Sequence, residues 1–205
     1  MEKEDILNRL RNHRPKILGS EGFSKYAVLL PLIEKDGETH ILFEVRSLEL
    51  RRQPGEICFP GGRIDPQDAD EESAAIRETI EELGIRKEDI SEAFPLDYFI
   101  SAFGMIIYPY AAFIKRPEHI SPNPEEVGEI FTVPIHFFIN NPPEVYRVNF
   151  KAEPEENFPL ERIAGGGNYN WQTRSMDEHF YTYGNKVIWG LTARILSHYI
   201  QIMRQ

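Results

Sequence analysis

The chain has 205 residues, 41% of them hydrophobic, with a formal net charge of −10 and one cysteine. That length suits one domain with a real core, and the acidic balance lacks the basic footprint of a broad nucleic-acid binder. A lone Cys58, no apolar run of bilayer length and no secretion signal in Met1-Glu2-Lys3-Glu4-Asp5 point to a cytoplasmic location without membrane partners.

Residues 5 to 12 read as a short helix capped by Asp5, within an N-terminal helical extension over 1–20, and His13-Arg14-Pro15 breaks it. Residues 26 to 33, Tyr26 to Ile33, read as a buried strand, Asp36-Gly37 as a hairpin turn, and His40 to Val45 as the return strand. Arg46, Arg51 and Arg52 then fall in a loop that runs into Gly61-Gly62. Such arginines usually belong to a solvated loop, but their planar forks also suit phosphate oxygens. Cys58, beside Phe59, reads as a small buried apolar residue rather than a nucleophile.

The next segment is the most informative. Asp68 and Asp70 are N-cap candidates, Gly84 suits the left-handed position that ends a helix, and Ile76, Ile80 and Leu83 form one apolar stripe. On that helix Glu78, Glu81 and Glu82 stand at offsets of three and four, which brings their side chains within about 5–6 Å. Three acids alone most often make a solvated face. A hard divalent cation reverses the sign of their repulsion, since it takes oxygen ligands from carboxylates and phosphates. By its charge, Arg77 is placed to pair with an acid of the preceding connector and pin the loop to the helix.

Strands are expected over residues 96–100 and 105–114, with Pro109 marking an edge or a bulge in the second. Residues 121–127 form a loop that carries Glu125 and Glu126 and leads to a strand over 130–135. Residues 151–178, with Gly165-Gly166-Gly167, read as a flexible substrate loop or lid, a disordered insertion being the equal alternative. A strand follows over 179–183, and Asn185 is expected to cap a last helix with Ile188, Leu191, Ile195, Tyr199 and Ile202 on its apolar face.

The string from Gly61-Gly62 to Arg77-Glu78-Thr79-Ile80-Glu81-Glu82-Leu83-Gly84-Ile85 resembles the Nudix box. It departs in two places: Thr79 stands where an aliphatic residue is usual, and the left half is one residue long, with Ala69 at the place of the first glutamate. Asp70 or Glu71 would supply that carboxylate. Arg46-Ser47, Gly55-Glu56, Phe59-Pro60-Gly61-Gly62 and the Asp65-Pro66-Gln67-Asp68 insertion resemble the coenzyme A pyrophosphatase branch of that family, which accounts for the extra residue.

This resemblance implies a single α/β domain over 1–205, an α/β/α sandwich with a mixed β-sheet. It implies hydrolysis of the diphosphate of coenzyme A or an acyl-CoA to 3′,5′-ADP and 4′-phosphopantetheine or its acyl derivative. Mg²⁺ or Mn²⁺ would be held by Glu78, Glu81, Glu82 and the carbonyl of Gly61. Glu78, Glu81, Glu125 or Glu126 would take a proton from the attacking water. Arg46, Arg51, Arg52 and Gly62 would bind the substrate, while Arg77, Asp70 and Gly84 shape the box. The expected partner is a small nucleotide, not nucleic acid or membrane, and a homodimer is left open. The rival readings are hydrolysis of another nucleotide diphosphate (ADP-ribose, a dinucleoside polyphosphate or NADH) and a non-catalytic binding module of the same fold.

Overall fold

The structure is a computed structural model that describes residues 2–205; Met1, where the expected N-terminal extension begins, lies outside them. Helix α1 (Lys3–Arg11) begins before Asp5. Glu2 is its N-cap, and Asp5 sits in the first turn and accepts from the Glu2 amide at 3.2 Å. No residue of α1 is buried.

Strands β1 (Ser24–Lys35) and β2 (Glu38–Arg46) meet at the expected turn, with φ of 53° at Asp36 and 80° at Gly37. Two positive φ values in a two-residue loop match the twist of a hairpin. The two strands pair only from Leu32–Lys35 against Glu38–Ile41. Beyond that they diverge, and a corner fills the gap. Its first arm, β3 (Ile57–Cys58), pairs with β2 at Glu44 and Val45; its second, β4 (Gly61–Arg63), pairs with β1 at Tyr26–Val28. Pro60 seals the corner by accepting from the Leu29 amide at 2.9 Å.

Helix α2 (Glu71–Leu83) lies where the sequence places it. Asp70 is the N-cap, accepting from the Ser73 amide at 2.8 Å, and Gly84 ends the helix at φ 62°. Thr79, the departure from the aliphatic pattern, is fully buried and donates to the Ala75 carbonyl at 2.7 Å. Its hydroxyl is thus satisfied inside the helix, and a Val of similar shape would lose one bond without stranding a polar atom. Thr79→Val is therefore expected to shift stability by less than about 1 kcal/mol in urea unfolding.

In place of one strand over 96–100 the chain makes two short ones, β5 (Phe94–Pro95) and β6 (Phe99–Ser101). Both pair with β7 (Met105–Phe113), which runs parallel to β1 on its other side. Pro109 is thus in an interior strand, not at an edge. Its carbonyl accepts from Leu96, and its missing N–H falls where the pairing with β5 ends and that with β6 has not yet begun. Strand β8 (Val127–Pro134) lines the far edge of β2 and passes into a short helix α3 (Ile135–Asn140), for which the sequence showed no signal.

Strands β9 (Glu144–Phe150), β10 (Arg174–Tyr183) and β11 (Lys186–Trp189) form a second, three-stranded antiparallel sheet. The stretch expected as a loop over 151–178 therefore ends in strand, and its remainder carries single 3₁₀ turns at Leu160–Arg162 and Gly166–Asn168. Asn185 does not cap the last helix. It lies in the turn between β10 and β11, Ile188 is a buried strand residue, and helix α4 (Gly190–Met203) begins after Trp189.

Alternate residues of β1 and β2 feed two cores. Leu30, Leu32, Ile41 and Phe43 meet Phe138 of α3 and Leu196 and Ile200 of α4. Leu29, Ile33 and Leu42 meet Leu83 and Ile85 at the end of α2. The mixed sheet is thus covered by helices on both faces, an α/β/α sandwich as expected.

Candidate active site

The divergence of β1 and β2 exposes a short stretch of sheet to one face of α2, and the acids gather there. Glu82 is buried, and its Oε2 accepts from the Gly61 amide at 2.7 Å. Glu78 lies against Gly62 so closely that a Cβ on Gly62 would stand 2.3–2.5 Å from the Glu78 carboxylate. Gly61 is confined as well: its φ is +155°, and a Cβ would meet the Ala27 carbonyl at 2.5 Å. The two glycines are what let the strand approach the helix's acids.

The loop after β7 is fastened to the same helix. Ser121 and Asn123 donate to the carbonyls of Leu83 and Glu82, both at 2.9 Å, capping the end of α2. Asn123 in turn accepts from Glu126, whose carbonyl accepts from Ser47 at 2.8 Å. Glu126 is thereby held beside the start of the arginine loop, with its side chain open to solvent.

A fourth acid comes from the sheet. Glu44 of β2 is 1% exposed, and its Oε1 has no hydrogen-bond partner. Burial holds its carboxyl well above the ordinary range, with Glu82 and Glu126 adding to the rise and Arg46 opposing it. Burial likewise pushes Glu82 up to about 8 against the pull of the Gly61 amide, and Glu78 and Glu126 push the same way. Glu78 is raised by burial too, partly offset by Arg77. Acids that raise one another are short of positive charge, which Arg46 and Arg77 supply only in part. An oxygen-only donor set with an orphaned buried carboxylate oxygen fits a hard divalent cation. No three acidic, histidine or cysteine side chains among the described residues yet converge as a finished ligand set. Glu82 engages Gly61, and Arg77 engages Glu78.

Arg77 ties the box together as expected. Its guanidinium donates to Asp68 at 2.9 and 3.0 Å, to Glu78 at 2.9 Å and to the Arg63 carbonyl at 3.2 Å. Asp68, read as a cap, is instead the anchor that pins the connector to α2. The Arg77 guanidinium, helped by the Asp65 amide, holds the Asp68 carboxyl below its ordinary value. A depressed acid stabilises the fold fully above the unfolded value of about 3.9 and ceases to do so as pH falls through the lower folded value. Asp68→Asn is therefore expected to lower thermal stability at pH 7 and to have a diminishing effect toward pH 3, read from melting curves across that range.

The remaining site residues divide. Arg46 faces Glu44 and Glu82, and its buried Nε has no partner. It also lines a cavity of about 310 Å³ that includes Gly61, Cys58 and Phe59. Arg51 and Arg52 are exposed on the loop. Glu81 turns away from the cluster, with its side chain 55% exposed and 3.3 Å from Arg77. Cys58 is half-buried, and burial together with Glu44 and Glu82 pushes its thiol up to about 12, which removes thiolate chemistry near neutrality. Glu44 escaped the sequence reading: a lone acid in the run Ile41-Leu42-Phe43-Glu44-Val45 has no spacing partner, and only the opening of the β1–β2 ladder turns it toward α2.

Residues 24–155 match the description of the NUDIX domain. The chain belongs to the Nudix family. Among curated proteins it is 37% identical over 123 residues to the peroxisomal coenzyme A diphosphatase NUDT7 of Mus musculus, a match covering 60% of this chain and 51% of that one. It is 34% identical over 145 residues to the peroxisomal coenzyme A diphosphatase ndx-8 of Caenorhabditis elegans, covering 69% of this chain and 62% of the relative. The chain thus spans about half to three fifths of the length of these relatives. A MutT/nudix family protein from Enterococcus faecalis shares the Nudix fold at a TM-score of 0.53 and 14% identity, covering all of this chain and 71% of that one. No helix among the described residues is long and apolar enough to cross a membrane.

Proposed function

We infer that this Nudix chain hydrolyses the diphosphate of coenzyme A and its thioesters, releasing 3′,5′-ADP and 4′-phosphopantetheine or its acyl derivative. The observation that carries the reading is the cluster of Glu44, Glu78, Glu82 and Glu126 beside an unpaired Arg46 at the mouth of a cavity. Buried carboxylates that the neighbouring arginines only partly offset, beside an arginine that lines a cavity, match a cation and a phosphate bound side by side. The likeness to two relatives named coenzyme A diphosphatases supplies the substrate class.

Glu78, Glu82 and Glu44, with the carbonyl of Gly61, would hold Mg²⁺ or Mn²⁺; Glu81, exposed and paired with Arg77, stands ready as an outer ligand. Bound there, such a cation neutralises the diphosphate and lowers the pKa of an attacking water. Arg46 binds a phosphoryl oxygen through its guanidinium where it lines the cavity, and Gly62 lets the substrate approach. Arg51 and Arg52, exposed on the loop, meet the outlying 3′-phosphate. Glu126 is the acid best placed to take the water's proton, being solvent-open and yet fixed by Ser47 and Asn123. The water's oxygen bonds to one phosphorus while the bridging oxygen leaves with the other phosphate. We place the activity in the cytoplasm, where the lone Cys58 stays reduced.

Coenzyme A, ADP-ribose and a dinucleoside polyphosphate, each with Mg²⁺ or Mn²⁺ and with chelator, test the reading. Metal-dependent release of 3′,5′-ADP from coenzyme A, faster than turnover of the other two, is the expected result. Faster cleavage of ADP-ribose would overturn the substrate, and no turnover of any of them would overturn the reaction.

A further inference from the structure

The cavity that holds Arg46 and Gly61 reaches to Trp189, Leu191 and Glu178. Leu191 and Glu178 also line a second cavity of about 160 Å³, walled by Phe99, Phe103, Met105 and Met176. The two cavities are therefore neighbours, with Leu191 and Glu178 between them. The second is lined mainly by apolar side chains, with Ser101, Glu178 and Arg194 the polar exceptions, and so favours hydrocarbon over a phosphate or a sugar. Its two methionines can adapt to chains of different shape. Phe103 stands at its mouth, 66% exposed, with its ring edge-to-face on Phe150 of β9 at 5.6 Å. At the rim the Arg194 guanidinium lies 5.1 Å over the Phe99 ring.

We propose that the second cavity receives the acyl chain of an acyl thioester substrate and gauges its length. The inference rests on the coenzyme A reading above. In such a substrate the thioester lies at the far end of the pantetheine arm from the diphosphate, and the apolar cavity lies on the far side of Leu191 and Glu178 from Arg46 and Gly61. At about 30 Å³ for each water-sized group, the cavity takes about five carbons. Each methylene buried there lowers KM by up to about fourfold, and longer chains gain nothing further.

The test compares coenzyme A with its acetyl, butyryl, hexanoyl and lauroyl thioesters, measured by release of 3′,5′-ADP. In the parent protein KM is expected to fall from acetyl to hexanoyl and to fall no further at lauroyl. Met176→Trp fills the cavity and is expected to lower kcat/KM for the hexanoyl thioester by about tenfold or more, as several buried methylenes are lost, with free coenzyme A held within about twofold. Phe103→Ala, which removes an exposed ring and spares the core, is expected to reduce the hexanoyl advantage several-fold and serves if the tryptophan variant does not fold. Turnover of free coenzyme A with the same KM for every chain length in parent and variants would overturn the gauge alone. No turnover of free coenzyme A by the parent would overturn the substrate reading and the proposal with it.

Discussion

Glu82→Gln is expected to reduce metal-dependent hydrolysis by about a thousandfold, the scale of losing one preorganised electrostatic group at a reacting phosphate. The fold should persist. Glutamine keeps the side-chain oxygen that accepts from the Gly61 amide, so the strand-to-helix tie at 2.7 Å has a neutral equivalent. Burial and the neighbouring acids already favour the neutral form of Glu82, which glutamine resembles, so the apo variant should melt no lower than the parent. Binding of a cation to the native state raises apparent stability by mass action. Added Mn²⁺ is therefore expected to raise the melting temperature of the parent and to raise that of Glu82→Gln much less. Activity and the cation-induced shift must fall together. A variant that keeps most of its turnover, or that loses turnover while keeping the full shift, would take Glu82 out of the cation site.

How much of this was legible beforehand follows from how far apart the deciding groups lie in the chain. Helix α2 was readable because its signals are local: Asp70 caps one end, Gly84 closes the other, and Ile76, Ile80 and Leu83 mark its buried side. The Asp36-Gly37 hairpin was readable for the same reason. The role of Arg77 was legible from charge alone, while the identity of its anchor as Asp68 needed coordinates. Glu44 could not be found, because its meaning comes from acids far along the chain, Glu82 of α2 and Glu126 of the loop before β8. Strand β9 was missed since its residues are mostly exposed and its partner lies across a long connection, Arg147 pairing with Asp177. At the last helix, a residue at helical spacing misled: Ile188 fits the stripe of α4, yet cross-strand pairing with Tyr181 holds it in β11. Local propensity lost there to tertiary pairing, as it commonly does for short apolar runs. The three acids of the box separated for a related reason. Spacing on a helix makes Glu78, Glu81 and Glu82 neighbours, but only two of the three can face one strand, and Glu81 is left to Arg77 and solvent.

Gly62→Ala tests geometry with the chemistry left in place. All the acids and arginines remain, and one methyl group is added. Gly62 does not require a left-handed backbone, so alanine strains β4 little by itself. Its Cβ would, however, lie 2.3–2.5 Å from Oε1, Cδ and Oε2 of Glu78, and the carboxylate must swing away. Arg77 resists part of that movement, because it is committed to Asp68 and the Arg63 carbonyl as well as to Glu78. A displacement of about 1 Å in a positioning group can cost about a hundredfold in rate, and that is the expected loss in kcat for Gly62→Ala. Stability should change far less, since the group that must move is the far end of a flexible side chain. The same substitution at Gly61 serves as contrast: there the added Cβ meets the Ala27 carbonyl and the Val28 Cα, neither of which can rotate away. Gly61→Ala should therefore lower the melting temperature as well as the activity. If Gly62→Ala turned over at the parent's rate, Glu78 would not need to stand where it does, and the cation would be held by Glu82 and Glu44 without it.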